Sequence, residues 1–169
     1  MLSLATFVST GCKDKCKDVT CLNNGVCNEG DCECPPGTSG SDCGTLDRTK
    51  FIGNYEGEMV VSVNGAELQT VEHEIEIESG SGVNKIKINE TSQGITTERT
   101  GTVNGNSFTL TTTTDEQENG GTETVIIQSG SGNLNGNILT YETTTDMTST
   151  TDGVETNTTI TSVTTAEKQ

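Results

Sequence analysis

From position 51 to the end of the chain, apolar and polar residues alternate, and the alternation breaks at nearly even intervals. The clearest run is Glu72-His73-Glu74-Ile75-Glu76-Ile77-Glu78. A period of two sends four carboxylates to one face of a strand and His73, Ile75 and Ile77 to the other. Similar runs predict eight strands, over 55–63, 67–78, 83–89, 95–103, 106–114, 122–134, 137–147 and 154–165. No stretch carries a helical period. Asn64-Gly65, Asn104-Gly105 and Asn135-Gly136 are hairpin turns of the I′ type, because both residue types tolerate positive φ. Ser79-Gly80-Ser81-Gly82 closes another hairpin. Successive hairpins make an antiparallel meander, so 51–169 is read as an all-β domain, barrel or sandwich.

The turns also set expected registers. A centred Ser-Gly turn puts Glu76 opposite Lys85, Glu74 opposite Lys87, Ile75 opposite Ile86 and His73 opposite Ile88. Opposite charges across a hairpin are ordinary sheet stabilisers, which favours them over a carboxylate ladder holding a metal. The run from Gly101 to Leu110 is echoed from Gly132 to Tyr141. Two-residue Asn-Gly turns then set Phe108 across from Gly101 and Tyr141 across from Gly130, each aromatic covering a strand glycine.

Before position 51 the texture is different. Cys16, Cys21, Cys27, Cys32, Cys34 and Cys43 follow C-x4-C-x5-C-x4-C-x-C-x8-C. A segment this short cannot bury a core and needs covalent staples. Disulfides imply an oxidising compartment. Zinc, the competing use, favours paired CxxC knuckles, which are missing here. Spacing alone leaves the connectivity open. The runs Cys21-Leu22-Asn23-Asn24-Gly25-Val26-Cys27 and Cys32-Glu33-Cys34-Pro35-Pro36-Gly37-Thr38-Ser39-Gly40-Ser41-Asp42-Cys43 resemble the EGF-like family. The resemblance implies an EGF-like module over 16–43 with bridges Cys16–Cys27, Cys21–Cys32 and Cys34–Cys43. Thr38 stands where that family usually has an aromatic that packs on the next domain. Lys13-Asp14-Lys15 lacks the family's acidic calcium motif, so no calcium is expected. A polar linker, 44–50, follows.

The first residues hold a short apolar run, Leu2, Leu4, Ala5, Phe7 and Val8, then Ser9-Thr10-Gly11-Cys12. This resembles a bacterial lipobox, with 1–11 as signal peptide, 12–15 as tether and Cys12 as the acylated residue. It departs in having Ser9 for the usual Leu and no basic start. Six other cysteines pair among themselves and leave Cys12 over. The resemblance implies a lipid-anchored protein of the bacterial cell envelope, at the outer membrane, with a spacer module lifting the β domain off the surface. Two or more acyl chains anchor stably.

Composition narrows the functions. The 169 residues are only 28% hydrophobic, with no Trp, and carry a formal net charge of −16. From Phe51 to Glu167 the cations are Lys85, Lys87 and Arg99 alone. Such a surface repels nucleic acid. No nucleophile elbow, phosphate loop or metal-ligand cluster is legible, so no cofactor, metal or catalytic residue is expected. His73, the only histidine, alternates with Val71 and Ile75 and reads as a packed histidine. The expected role is non-catalytic, binding an unidentified protein or glycan. Phe51-Ile52-Gly53-Asn54-Tyr55 leading into a meander weakly resembles small lipocalin-like domains. That resemblance implies, as the alternative, a carrier of a small apolar ligand in a cavity of about 300 Å³ or more. A hydrolase would require two buried carboxylates, or His73 paired with one.

Overall fold

The computed structural model describes residues 15–169. The signal segment 1–11, the lipidation residue Cys12 and the tether up to residue 14 lie outside the described residues.

The first described unit is a small module held by bridges Cys16–Cys27, Cys21–Cys32 and Cys34–Cys43. It carries two short hairpins: β1 (Val26–Asn28) with β2 (Asp31–Glu33), and β3 (Thr38–Ser39) with β4 (Thr45–Leu46). The segment 44–50 is more than a polar connector. Its first residues form β4, and Asp47–Lys50 make one 3₁₀ turn. Asp47 is buried and accepts a hydrogen bond from Ser39 Oγ at 2.7 Å.

The turn delivers Phe51 into the end of a barrel. Its strands are β5 (Gly53–Val63), β6 (Ala66–Ser79), β7 (Lys85–Ser92), β8 (Ile95–Asn104), β9 (Ser107–Leu110), β10 (Thr113–Asn119), β11 (Thr122–Asn135), β12 (Ile138–Thr151) and β13 (Val154–Lys168). Strands β9 and β10 both pair with β11 and form one stave broken at Thr111-Thr112. Sequential neighbours pair antiparallel, and β13 returns to pair with β5. Eight staves thus close a barrel, which excludes the open sandwich. Closure removes most free edges.

The alternation read from the sequence sets inside against outside. In β6, His73, Ile75 and Ile77 are buried while Glu72, Glu74, Glu76 and Glu78 are exposed. Phe51, Tyr55, Ile77, Ile86, Val103, Phe108, Leu139 and Tyr141 fill the end of the barrel nearest the module. Full burial of each such side chain contributes roughly 1.5–3 kcal/mol before chain entropy is counted. Phe51 meets Phe108 edge-on at 5.5 Å, and Phe108 meets Tyr141 at 5.8 Å. The Tyr55 hydroxyl donates to the Phe51 carbonyl at 2.7 Å.

Three expected registers are corrected. In the β6–β7 hairpin the pairs are Glu78 with Lys87, Ile77 with Ile88 and Glu76 with Asn89. The loop is longer than the Ser-Gly run: Gly80 N–H bonds the Lys85 carbonyl, so Val83 and Asn84 also belong to it. The other two corrections share one cause. Asn64 and Gly65 both have positive φ, as a I′ turn requires. At the β8–β9 and β11–β12 turns the central residues are instead Gly105-Asn106 and Gly136-Asn137, with positive φ only at the glycine. That is the II′ pattern, glycine first. Phe108 therefore pairs with Val103, and Tyr141 with Gly132. Closure adds what the hairpins alone do not: Phe108 also pairs with Gly132 across β9 and β11. A Cβ at Gly132 would lie 2.3 Å from the Phe108 ring.

The module is docked on the filled end. The Arg48 guanidinium donates to the Gly80 and Gly82 carbonyls of the β6–β7 loop. Gly37 sits so close to Asn84 that a Cβ would be 2.2 Å from the Asn84 Cβ. Lys50 Nζ donates to Asn106 Oδ1 at 2.8 Å. A joint without the usual aromatic at Thr38 is thus made by a guanidinium and a close backbone approach.

Candidate site in the barrel mouth

Along each stave the interior changes character. Beyond Ile86 and Ile88, the next inward residue of β7 is Glu90. Beyond Val103 and Gly101, the next inward residue of β8 is Arg99. The register sets Glu90 opposite Thr97 and Arg99 opposite Ile88, so the two charges are diagonal neighbours. Arg99 Nε donates to Glu90 Oε1 at 2.8 Å, and Tyr141 donates to the same oxygen at 2.6 Å from across the lumen. Arg99 also donates to Gln128 on β11 at 3.1 Å. His73 Nε2 stands 3.6 Å from Glu90 Oε2.

Glycine shapes the other side. Gly57 of β5 pairs with His73 on one edge and Ala166 on the other. With no side chain between them, His73 Nδ1 reaches Thr164 Oγ1 at 2.7 Å. A neutral ring satisfies both contacts when Thr164 donates to Nδ1 and Nε2–H faces Glu90. Burial opposes ionisation of Glu90, but the contacts from His73 and Tyr141 and the charge of Arg99 outweigh it and hold the carboxyl below its ordinary range. Burial, with the adjacent Glu90 carboxylate, pushes the Tyr141 phenol far up. Burial also pushes Tyr55 up to about 12.

This cluster floors an open cavity of about 290 Å³ at the end of the barrel away from the module. Above Glu90 and Arg99 its walls carry Thr97, Thr143, Thr145 and Ser162, with Met59 and Ile95 as the apolar contribution. The closed barrel is the architecture that the lipocalin-like resemblance implies, and this cavity opens at its mouth. The end nearest the module is packed with apolar side chains, and the open cavity mixes hydroxyls with Met59 and Ile95.

The residues Thr164, His73 and Glu90 stand in the order nucleophile, base, carboxylate. Thr164 is 1% exposed and does not line the cavity, so a bound molecule meets His73 and Glu90 but not the hydroxyl. Glu90 is already engaged by three partners. The arrangement suits a fixed polar floor. Sequence reasoning had placed His73 correctly as packed but missed Glu90 and Arg99. The signal was present as two charged residues on the inward phase of otherwise apolar runs.

Other surfaces are simpler. A wider concavity of about 520 Å³ lies on the outer face between Glu56, Glu74 and Glu76. Among the described residues no group of three or more His, Cys, Asp or Glu side chains is arranged to hold a metal ion.

The fold defines the class: a closed eight-stranded antiparallel barrel carrying a disulfide-rich module at one end. No protein-family model matches the chain, and no curated protein does. Among solved structures, the chain is similar to a protein of unknown function from the DUF3598 family of Nostoc punctiforme, at 13% identity and a TM-score of 0.33. That match covers 72% of this chain and 49% of the other, so the chain spans about half the length of its neighbour.

Proposed function

We propose that the protein is a non-catalytic, membrane-tethered binding protein whose barrel mouth takes a small, neutral, hydroxyl- or amide-bearing ligand. The observation that carries this reading is the mouth itself: an open cavity walled by threonine and serine over a floor where Glu90 neutralises Arg99. An anionic ligand gains little from a guanidinium already paired, and an apolar ligand would strip water from hydroxyls without replacing their hydrogen bonds. A neutral polar molecule matches both conditions. Of the partners expected from sequence, a glycan unit fits this lining better than a small apolar ligand.

The tether completes the proposal. Acylated Cys12, followed by an EGF-like spacer docked on the filled end, would point the mouth away from the lipid surface. The three bridges and the lipobox-like Ser9-Thr10-Gly11-Cys12 support that arrangement.

The test is a titration of the isotopically labelled protein with N-acetylglucosamine, and separately with laurate, followed by backbone amide shifts. The reading expects saturable shifts at Thr97, Thr143, Thr145 and Ser162 with the sugar and none with laurate. Saturable shifts with laurate alone would replace it with the apolar-carrier reading. Mass spectrometry of the native amino terminus checks the tether, and an unmodified Cys12 would remove it.

A further inference from the structure

The barrel is closed at one end but split along one seam. Strand β8 pairs with β9 from Asn104 to Gly101, and the ladder ends where Thr111 N–H donates to the Thr100 carbonyl at 2.8 Å. Beyond that rung β8 (Ile95–Arg99) pairs only with β7, and β10 pairs only with β11. Two free strand edges thus flank a slit. Its base is a cavity of about 170 Å³ bounded by Thr97, Arg99, Thr113 and Gln128.

A free edge presents a row of unpaired N–H and C=O groups, and proteins usually blunt such edges with charged side chains, Pro or a bulge. The β10 edge, Thr113-Thr114-Asp115-Glu116-Gln117-Glu118-Asn119, has no Lys, Pro or bulge; its charges are all carboxylates, which repel a like strand and leave the edge open to a basic one, and all seven residues are exposed. Its pairing with β11 assigns the faces. Asp115 and Gln117 share the inward face with Ile126 and Thr124, while Glu116 and Glu118 share the outward face with Val125 and Glu123. Across the slit the outward residue of β8 is Glu98. An added strand would therefore meet Glu116, Glu118 and Glu98 on its outer side and the single carboxylate of Asp115 on its inner side.

We propose that the free edge of β10 takes up an extended peptide from a basic partner as an added strand, with Lys or Arg at alternate positions over Glu116 and Glu118. Main-chain pairing supplies affinity, and the alternate side chains supply selectivity. A second copy of this chain is disfavoured as occupant, because edge-to-edge pairing would set Glu116 and Glu118 of one copy against the same residues of the other. The slit shares Thr97 and Arg99 with the mouth cavity, but the pairing edge itself, 113–119, does not line that cavity.

The experiment uses the full chain and a fluorescein-labelled peptide of alternating Lys and Thr, read by anisotropy and by amide hydrogen exchange. Binding is expected, with new protection confined to 113–119. Two analogues N-methylated on one or the other alternate set of amides separate pairing from charge attraction. At least one should bind about tenfold more weakly. The E116K/E118K protein should lose about tenfold as well, and its circular dichroism checks that it folds. No binding, equal binding of both methylated analogues, an unchanged E116K/E118K protein, or a free protein that sediments as a dimer with 113–119 already protected would each overturn the proposal.

Discussion

The Tyr141 hydroxyl and the Glu90 carboxylate meet at 2.6 Å where the apolar layer of the barrel gives way to its polar mouth. The phenol ring belongs to the packed layer, touching Phe108, while its oxygen belongs to the floor of the cavity. One side chain therefore joins the two halves of the interior. Tyr141→Phe keeps the ring and removes the donor from a buried carboxylate. It should destabilise the fold by about 2 kcal/mol, measured as a lower urea midpoint with an unchanged slope. A midpoint equal to that of the wild type would mean that the contact does not hold the floor.

The same cluster sets the pH dependence. The Glu90 carboxyl titrates below its ordinary value of 4.5 in the fold. A group whose folded pKa is depressed contributes stability that is present above the unfolded value and lost as pH falls through the folded one. Stability should decline on acidification below about pH 4.5, and Glu90→Gln should flatten that decline. At the other extreme both tyrosines are raised, so their contribution is complete below 10.0; that of Tyr55 is lost as pH rises towards about 12, and that of Tyr141, raised further, is lost only at still higher pH. The chain has two tyrosines and no tryptophan. Phenolate absorbance therefore reports both directly, and it should lag well behind that of the urea-unfolded chain. Ionisation near pH 10 in the folded protein would contradict the buried placement.

The acidic outer face has a testable cost. Glu56 pairs directly with Glu74, and Glu58 with Glu72, on adjacent strands. Lys87 does not relieve them, because it serves Glu78 at 3.8 Å and Glu98 at 2.8 Å. Like charges directly opposite each other repel, so Glu74→Lys should stabilise the protein by about 0.5 kcal/mol, more at low salt than at high salt. Thermal melts at two ionic strengths check both the sign and the salt dependence.

Docking of the module rests on Arg48. Arg48→Ala removes the donors to the Gly80 and Gly82 carbonyls and should raise hydrogen exchange at residues 37–50 and 80–85. The strands of the barrel should keep their protection. Unchanged exchange at the loop would mean that the Gly37–Asn84 approach and the Lys50–Asn106 hydrogen bond hold the joint without it.

Much of this architecture was legible in the sequence because period-two alternation reports local geometry. The eight staves and the buried and exposed phases of β6 follow from it, whereas Phe51 is buried by the 3₁₀ turn that precedes the first stave. Registers were less legible. Asn-Gly fits either of two turn types: Asn64-Gly65 occupies both central positions, whereas Gly105 and Gly136 each take the first central position with the asparagine before them outside. The floor of the mouth was missed for a different reason. Glu90 and Arg99 meet through the register of β7 and β8, while Thr164 reaches His73 only because β13 returns to pair with β5 and Gly57 leaves room between them. The slit beside β10 is equally a product of closure, since nothing local to Thr111-Thr112 marks the end of a ladder. The disulfide-rich module was legible from the spacing of its cysteines, but not the way it grips the barrel.

The central claim is that the mouth prefers a neutral ligand because Glu90 cancels Arg99. Calorimetric titration of the wild type and of the Glu90→Gln variant with N-acetylglucosamine and with glucuronate tests it directly. The wild type should bind the neutral sugar in preference to the anion, and Glu90→Gln, which leaves the Arg99 charge unpaired, should reverse the order. Preference for glucuronate in the wild type, or an order unchanged by the substitution, would contradict it.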